Sequence, residues 1–180
     1  MREVTRLQIV VRARQGDADA FEALVHEHTP SIYRLARAIV GEGAARDVVQ
    51  DVFLSAWREL PQLRDPEAFV PWLHRIAVNR CRSLLRSHRS VPEIQVGPSV
   101  TEAVADPRDF RVAAEARATI ALAFGRLSSD QRAVLALHYA AGLPLSAVAE
   151  TLGVPPGTAK SRLNAALEAM RRQIGEKSDG

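Results

Sequence analysis

The side chains that commonly perform catalysis are not grouped in this sequence in a way that would let them act together. His26 and His28 are two positions apart, so on a helix they point about 200° apart and cannot easily share a metal ion. Cys81 is the only cysteine, which excludes an internal disulfide and a multi-cysteine zinc site. There is also no phosphate-binding glycine loop and no nucleophile elbow. We therefore expect a protein that is not an enzyme and that has neither a metal nor a cofactor.

Arginines recur along a helix predicted over about 69–87, and this pattern suits the helix to bind an anion. Between Glu67 and Glu93 the sequence contains no acidic residue. One helical face, apart from the apolar one, carries the stripe Arg75, Asn79, Arg82 and Arg86. Guanidinium groups match phosphate, and an asparagine can pair with a base edge. Trp72 lies beside the stripe, where it either stacks on an unpaired base or belongs to the core. The stripe indicates nucleic-acid binding, with a solvated basic face as the alternative.

Near the C-terminus, two predicted helices have the spacing of a helix-turn-helix. The first covers about 145–152 and ends at Gly153, and the second covers about 158–173. In this motif the N-terminal residues of the second helix enter the major groove of DNA. The residues on or beside its outward face are Thr158, Lys160, Ser161, Arg162 and Asn164. An ordinary helical hairpin is the alternative.

A further candidate surface is acidic and lies on a helix predicted over about 44–60. Its apolar stripe, which we expect to be buried, is Val48, Val49, Val52, Phe53, Ala56, Trp57 and Leu60. The opposite face carries Asp47, Asp51, Leu54 and Arg58. An apolar side chain framed by acids suits a partner surface with an apolar centre and a basic rim. A solvated face near a helix N-terminus, where acids suit the helix dipole, is the alternative.

The elements that position these surfaces fall into two helical blocks. We predict a domain over 1–89, a flexible linker over 90–107 and a second domain over 108–175, because the middle segment has three prolines and a glycine. Asp17 is a predicted helix N-cap, and Ser128 with Gln131 forms a predicted capping box. Pro30 is predicted to kink or split the helix that Asp17 begins. Since no alternating strand pattern occurs, the predicted fold class is all-α, with two small helical domains.

The bulk composition fits a globular protein. The chain has 180 residues, a hydrophobic fraction of 47% and a formal net charge of +3, which is a weak indication of a polyanionic partner. The N-terminal segment lacks the apolar core of a signal peptide, and no window approaches the roughly 20 apolar residues of a membrane span. We therefore expect a soluble, cytoplasmic protein without direct membrane insertion.

Together these segments resemble the extracytoplasmic-function (ECF) class of RNA polymerase sigma factors in the sigma-70 family. DADAFEALVHEHTPSIYRLARAIV resembles the opening of region two, and ARDVVQDVFLSAWREL resembles the helix that docks on the polymerase clamp coiled coil. FVPWLHRIAVNRCRSLLR is similar to the helix that reads and opens the minus-ten element. LPLSAVAETLGVPPGTAKSRL resembles region four, which reads the minus-thirty-five element. The motifs occur in the expected order and cover nearly all of the chain outside the linker and the tail.

The resemblance implies an alternative sigma factor that binds core RNA polymerase, recognises both promoter elements and promotes DNA opening. The residues implied to contact core polymerase are Asp47, Gln50, Asp51, Leu54 and Arg58. Those implied to contact minus-ten DNA are Asp65, Phe69, Trp72, Arg75, Asn79, Arg82 and Arg86, with the 65–69 loop and Asn79 holding a flipped base. Those implied to contact minus-thirty-five DNA are Thr158, Lys160, Ser161, Arg162 and Asn164. An anti-sigma factor is a further implied partner.

The sequence departs from the family pattern in region four. Pro144 stands at the usual Ser or Thr cap, so the helix start is predicted to shift by one residue. Ala165 and Leu167 stand where the family frequently has basic residues. We therefore expect weaker contact with the upstream element and more reliance on Arg171, Arg172 and the first domain.

Two other functions fit parts of the sequence. One is an ordinary helix-turn-helix transcriptional regulator with a helical N-terminal sensing or dimerisation domain. The other is a helical adaptor that binds only proteins. The acidic helix with Leu54 argues against the former, because a sensing domain does not need it. The arginine stripe argues against the adaptor, because a protein that binds only proteins has no use for arginines that face DNA.

Overall fold

The computed structural model describes residues 2–87 and 118–175, with side chains from residue 6 onward, and these ranges are helical without a strand. The prediction of an all-α fold with two helical domains is therefore confirmed. The predicted linker, residues 90–107, and the end of the chain from residue 176 lie outside the described residues.

The first domain is built around one long helix. Its helices are α1 (Arg2–Arg14), α2 (Ala18–Val40), α3 (Glu42–Glu59) and α4 (Phe69–Ser87), with 3₁₀ turns at Leu60–Gln62 and Pro66–Ala68. Helix α2 packs against α1, α3 and α4. Its fully buried side chains, Ile32, Leu35 and Ile39, meet Val52 of α3 and Leu73 of α4 in one apolar core. The core therefore fixes which faces of α3 and α4 point outward.

The ends of α2 follow the cap residues in the sequence. The carboxylate of Asp17 accepts a hydrogen bond from the Ala20 N–H at 3.0 Å and one from Arg12 Nε at 2.8 Å. The backbone hydrogen bond from Ala20, together with Arg12, lowers the pKa of Asp17. Gly41 ends the helix with a φ of 89°, a conformation that glycine adopts without a Cβ clash. The predicted cap at Asp17 is confirmed.

Helix α2 runs through Pro30 as one element, so this proline does not split it. Proline removes one backbone N–H from the helix and leaves a carbonyl in the preceding turn without its usual donor. Hydroxyl groups on both sides of the proline donate to nearby carbonyls, Thr29 to Val25 at 2.7 Å and Ser31 to His28 at 2.9 Å. Tertiary packing of α2 on three helices outweighs the local preference of proline.

The second domain contains a helix over 118–125, named α5, followed by α6 (Ser129–Leu135), a π-helical turn (Ala136–Ala140), α7 (Leu145–Leu152) and α8 (Pro156–Gly175). The capping box is confirmed, because Ser128 Oγ accepts from the Gln131 N–H at 3.2 Å and Gln131 Oε1 accepts from the Ser128 N–H at 3.0 Å. Helix α7 begins at Leu145 with Pro144 as its N-cap, so the predicted shift of this start is wrong.

Helices α7 and α8 form the predicted helix-turn-helix. Gly153 lies in the left-handed region at φ 65° and ψ 39°, and its N–H and that of Val154 donate to the last carbonyls of α7. Val148 and Ala149 of α7 are buried, as are Ala159, Leu163 and Ala166 of α8. Helix α8 begins at Pro156, two residues before the predicted start, because proline suits the first helical turn.

The two domains pack against each other. Helix α7 lies against α4, while α6 and the π-helical turn lie against α2. Buried side chains of both domains, such as Val78 and Leu137, belong to one continuous apolar core. This packing places the helix-turn-helix beside the basic helix α4.

Candidate partner-binding and nucleic-acid interfaces

The outward side of α3 carries all the residues predicted to contact a protein partner. Its members Asp47, Gln50, Asp51, Leu54 and Arg58 are exposed, and we call them the acidic α3 face. Leu54, an apolar side chain among polar ones on this face, is 49% exposed. Among the described residues, neither Asp47 nor Asp51 has a salt-bridge partner. The face is therefore available for an intermolecular contact.

An apolar groove adjoins this face and runs between α2 and α3. It has a volume of about 730 Å³, and its lining residues are Ala18, Phe21, Val25, Thr29, Tyr33, Arg46, Val49, Gln50, Phe53, Leu54 and Trp57. The rings of Phe21 and Trp57 lie 4.8 Å apart across it. Gln50 and Leu54 belong both to the groove and to the acidic α3 face, so the two form one continuous surface.

Trp57 corrects the sequence analysis. It was predicted to be buried with the apolar stripe of α3, but its side chain is 39% exposed at the edge of the groove. Helical periodicity places Trp57 toward α2, but the facing residues of α2 leave the groove open, so part of the ring stays exposed at its edge. The groove was not predicted from the sequence. The sequence did contain an indication of it. Two crossing helices cannot bury the combined apolar surface of Phe21, Val25, Val49 and Trp57.

A polar cluster fixes one end of the groove. The Tyr33 hydroxyl donates to a carboxylate oxygen of Glu42, and Arg37 Nη1 lies 3.5 Å from the other oxygen. The hydrogen bond from Tyr33 and the charge of Arg37 lower the pKa of Glu42. Donating to a carboxylate raises the pKa of Tyr33. The cluster ties the C-terminal part of α2 to the start of α3 and so holds Tyr33 in the groove wall.

The four residues of the basic stripe on α4 differ in their exposure to solvent. Arg75, Asn79 and Arg86 are exposed, and no residue in the described ranges hydrogen bonds or forms an ion pair with their side chains. Arg82 is different, because its side chain is 19% exposed and its Nη2 lies 2.8 Å from Asp130 Oδ1 in the second domain. Trp72 is half-buried, with its ring 5.8 Å from that of Phe69. Three of the four stripe residues are therefore open to an anion.

The loop before α4 has one exposed residue and one buried residue at the predicted minus-ten positions. Asp65 is exposed and caps the 3₁₀ turn by accepting from the Glu67 N–H at 2.9 Å. Phe69 is only 2% exposed and packs 5.4 Å from the ring of His28. The predicted contact of the Phe69 side chain with a flipped base is not available in this structure. Phe69 anchors the loop and α4 to the core instead.

The N-terminal half of α8 presents the residues predicted to read duplex DNA. Lys160, Ser161 and Asn164 are exposed, and Thr158 is half-buried with its carbonyl accepting from Ser161 Oγ at 3.0 Å. Arg162 Nη1 lies 3.9 Å from Asp130 Oδ2. Ala165 extends the exposed face without a charge. Lys160, Ser161 and Asn164 therefore share one accessible side of the helix, whereas Arg162 is turned toward Asp130 of α6.

The described ranges offer no place for a metal site or a reactive thiol. They contain no group of three His, Cys, Asp or Glu side chains placed to hold a metal ion. Cys81 is fully buried, and burial raises the pKa of its thiol to about 12. No helix in the described part of the chain is long and apolar enough to cross a membrane.

Two family models match the chain, "Sigma-70 region 2" over residues 24–91 and "Sigma-70, region 4" over residues 117–170. The chain is 30% identical over 183 residues to the ECF RNA polymerase sigma-E factor of Escherichia coli strain K12, a match that covers 96% of this chain and 95% of that protein. The identity and coverage are the same for the sigma-E factor of Salmonella typhimurium strain LT2.

Solved structures agree with these matches. The chain resembles CnrH in its complex with the cytosolic domain of CnrY, with a TM-score of 0.66, 26% identity and coverage of 97% of both chains. It also has the fold of the sigma factor RpoE from Bartonella quintana, solved with the anti-sigma factor NepR, at a TM-score of 0.66 and 23% identity over 86% of this chain and 96% of that one.

Proposed function

The chain belongs to the ECF sigma factors of the sigma-70 family and is an alternative sigma factor for transcription initiation, and we propose that three of its surfaces divide the work. The acidic α3 face with the adjoining groove binds core RNA polymerase. The exposed side of α4 binds minus-ten DNA and promotes opening, and the start of α8 binds the minus-thirty-five element.

The exposed Leu54 is the observation that carries the polymerase assignment. It lies where the acidic α3 face meets the apolar groove, so a partner helix can bury apolar side chains in the groove and place basic ones beside Asp47 and Asp51. Folding gives no reason for an apolar residue at this position, because Val48, Val52 and Ala56 already form the buried side of α3. The partner surface is therefore a helix with an apolar stripe and a basic rim.

The minus-ten assignment depends on α4. Arg75 and Arg86 are exposed at opposite ends of the stripe and suit backbone phosphates, while Asn79 between them offers a donor and an acceptor to a base edge. Trp72 is half-buried and can stack on an unpaired base with the open part of its ring. The combination fits single-stranded or junction DNA better than an intact duplex.

The minus-thirty-five assignment depends on the exposed start of α8. Lys160, Ser161 and Asn164 face outward in the part of a recognition helix that enters the major groove. Ala165 adds no charge to this face, and Leu167 turns toward the core, so the upstream contact is weaker than a fully basic helix would make. Arg171 and Arg172, both exposed, supply phosphate contacts farther along the helix.

We also propose domain boundaries, a cellular location and a further partner for the chain. Residues 1–89 form the region-two domain, 90–107 the linker and 108–175 the region-four domain. The chain acts in the cytoplasm with core polymerase, which performs the catalysis. We propose an anti-sigma factor as a further partner, supported by the resemblance to CnrH, which was solved in complex with the cytosolic domain of CnrY.

Run-off transcription tests the assignment directly. Purified core polymerase from a matched bacterium is assayed on a pool of candidate promoters, with and without the chain. We expect specific transcripts only when the chain is added, and their start sites identify the promoter sequence. Absence of transcripts together with absence of core binding would favour the ordinary helix-turn-helix regulator.

A further inference from the structure

One carboxylate of the second domain joins two arginines that are assigned to different promoter elements. Asp130 Oδ1 lies 2.8 Å from Arg82 Nη2, and Asp130 Oδ2 lies 3.9 Å from Arg162 Nη1. Arg82 belongs to the minus-ten stripe on α4, and Arg162 belongs to the minus-thirty-five face of α8. We call this group of three side chains the Asp130 clasp.

The clasp covers Arg82 while its neighbours on α4 stay open. The Arg82 side chain is 19% exposed, and its Nε is buried without a hydrogen-bond partner among the described residues. The carboxylate of Asp130 therefore occupies the position in which a DNA phosphate would meet this guanidinium. Arg82 cannot bind DNA backbone until Asp130 moves away.

A second contact holds the same two domains together. Arg132 Nη1 donates to the Ile39 carbonyl near the C-terminal end of α2 at 3.4 Å, and its Nε donates to the Leu127 carbonyl at 3.2 Å. The end of a helix carries unsatisfied carbonyls and a partial negative charge, which favour a cation. Apolar contacts of α7 with α4 lie beside these polar ones. The closed arrangement thus combines apolar packing with two polar contacts.

This arrangement is incompatible with binding both promoter elements at once. The elements are centred about 25 base pairs apart, which is about 85 Å along B-DNA at 3.4 Å per base pair. Arg82 and Arg162 share one carboxylate and are therefore adjacent in this structure. The domains must separate before α4 and α8 can each reach its own element.

We propose that the Asp130 clasp holds the free chain in a closed state in which its own second domain competes with promoter DNA for Arg82 and Arg162. The inference builds on the proposed assignment of α4 and α8 to DNA. The partner for this surface of α4 is thus intramolecular and is displaced when the chain engages DNA.

Distance measurements on the full chain test the closed state without DNA or polymerase. Spin labels are placed at Glu22→Cys and Glu168→Cys, which are exposed positions in different domains, while the native Cys81 is buried and does not react. Asp130→Asn removes the charge but keeps the cap of α6, which Ser128 and Gln131 make. We expect one short distance in the unsubstituted background and a longer population with Asp130→Asn. An unchanged distribution would overturn the proposal.

DNA affinity tests the competition. Relative to the natural chain, Asp130→Asn should bind the promoter duplex identified by transcription about two- to fivefold more tightly, the change expected from losing one partly exposed ion pair. Glu150→Gln removes the same charge from an exposed site of α7 and controls for nonspecific repulsion of DNA. If Asp130→Asn separates the domains but binds the promoter duplex no more tightly than Glu150→Gln does, the proposed competition is overturned. Failure of the DNA assignment of α4 would appear separately, as unaltered affinity of Arg75→Ala for a forked promoter fragment whose minus-ten segment is unpaired.

Discussion

At the scale of single side chains, the fold leaves some of the residues assigned to partners without a polar contact of their own. Asp51 and Asn79 are exposed and have no polar partner among the described residues, whereas Arg80 on the same helix as Asn79 donates to Ser55 at 2.5 Å. Surface substitutions away from buried contacts usually change stability by less than about 0.5 kcal/mol. Substitution of Asp51 or Asn79 therefore tests binding rather than folding.

Reversing the charge of Asp51 should prevent polymerase binding. Asp51→Arg places a cation in the acidic α3 face, opposite the basic rim expected on the partner, and like charges at an interface cost several kcal/mol. We expect the affinity for core polymerase to fall at least about 30-fold with no change in thermal unfolding. Binding is measured by fluorescence anisotropy of the labelled chain. Glu168→Arg makes the same change on exposed α8 and should retain affinity, and normal affinity in Asp51→Arg would exclude this face.

Removing the Asn79 amide should impair DNA opening more than duplex binding. Asn79→Ala deletes the group placed to hold an unpaired base, so we expect open-complex formation to fall about tenfold and duplex affinity less than about twofold. Permanganate reactivity of unpaired thymines reports opening, and a template with a preformed bubble should restore transcription. Asn164→Ala is the matched control. It should reduce duplex affinity, and DNA opening should fall only as far as the weaker duplex binding requires. Equal losses of binding and opening in Asn79→Ala would contradict the flipped-base role.

At the scale of elements, the helices could be read from the sequence because local cap chemistry fixes their ends. Asp17, the Ser128–Gln131 box and Gly153 each satisfy backbone groups at a helix end, and each is where the sequence predicted it. The errors occur where packing decides. Trp57 lies at the edge of a groove, because helical periodicity gives the direction of a side chain but not how well a neighbouring helix covers it. Pro30 was predicted to kink or split its helix, and it does not split α2.

The capping box of α6 should contribute measurably to the stability of the second domain. Ser128→Ala removes the hydroxyl that accepts from the Gln131 N–H, and loss of an N-cap typically costs about 1 kcal/mol. We expect the thermal midpoint to fall by about 2–4 °C, measured by far-ultraviolet circular dichroism. Ser129→Ala alters the next residue, which has no side-chain hydrogen bond in the described structure, and should leave the midpoint within experimental error. Equal effects of both substitutions would show that the cap contributes nothing.

At the scale of the whole molecule, the sequence predicted the two domains and their surfaces but not how the domains meet. The stripe on α4 predicted Arg82 to lie with Arg75 and Arg86, and nothing local distinguishes it from them. Its pairing with Asp130 depends on a tertiary contact between segments on opposite sides of the predicted linker. The exposed residues of the candidate sites were therefore predictable from periodicity, whereas the coverage of Arg82 and the burial of Phe69 depended on packing.

The stability of the whole chain should decrease in mild acid because of a buried histidine. His74 is 4% exposed, and both its ring nitrogens lack hydrogen-bond partners among the described residues. Burial, and secondarily the charge of His28, lower the pKa of His74 to about 4 from an ordinary 6.5. Between these values the unfolded chain binds the proton that the folded chain excludes. The stabilising contribution is therefore complete above about pH 6.5 and is lost as the pH falls toward 4.

His74 should account for about 3 kcal/mol of the fall in the free energy of unfolding between pH 6.5 and pH 4. A series of unfolding measurements across this pH interval tests the prediction. Urea denaturation at several pH values gives that free energy for the natural chain and for His74→Leu, in which a side chain of similar volume has no group to protonate. We expect His74→Leu to lose the part of the pH dependence that His74 contributes, while the part from His28, whose pKa burial also lowers, remains. His26→Gln, which removes an exposed histidine from α2, is the matched control. If His74→Leu unfolds with the same pH dependence as the natural chain, the acid sensitivity arises from other groups. Burial would then not prevent protonation of His74 in the folded chain.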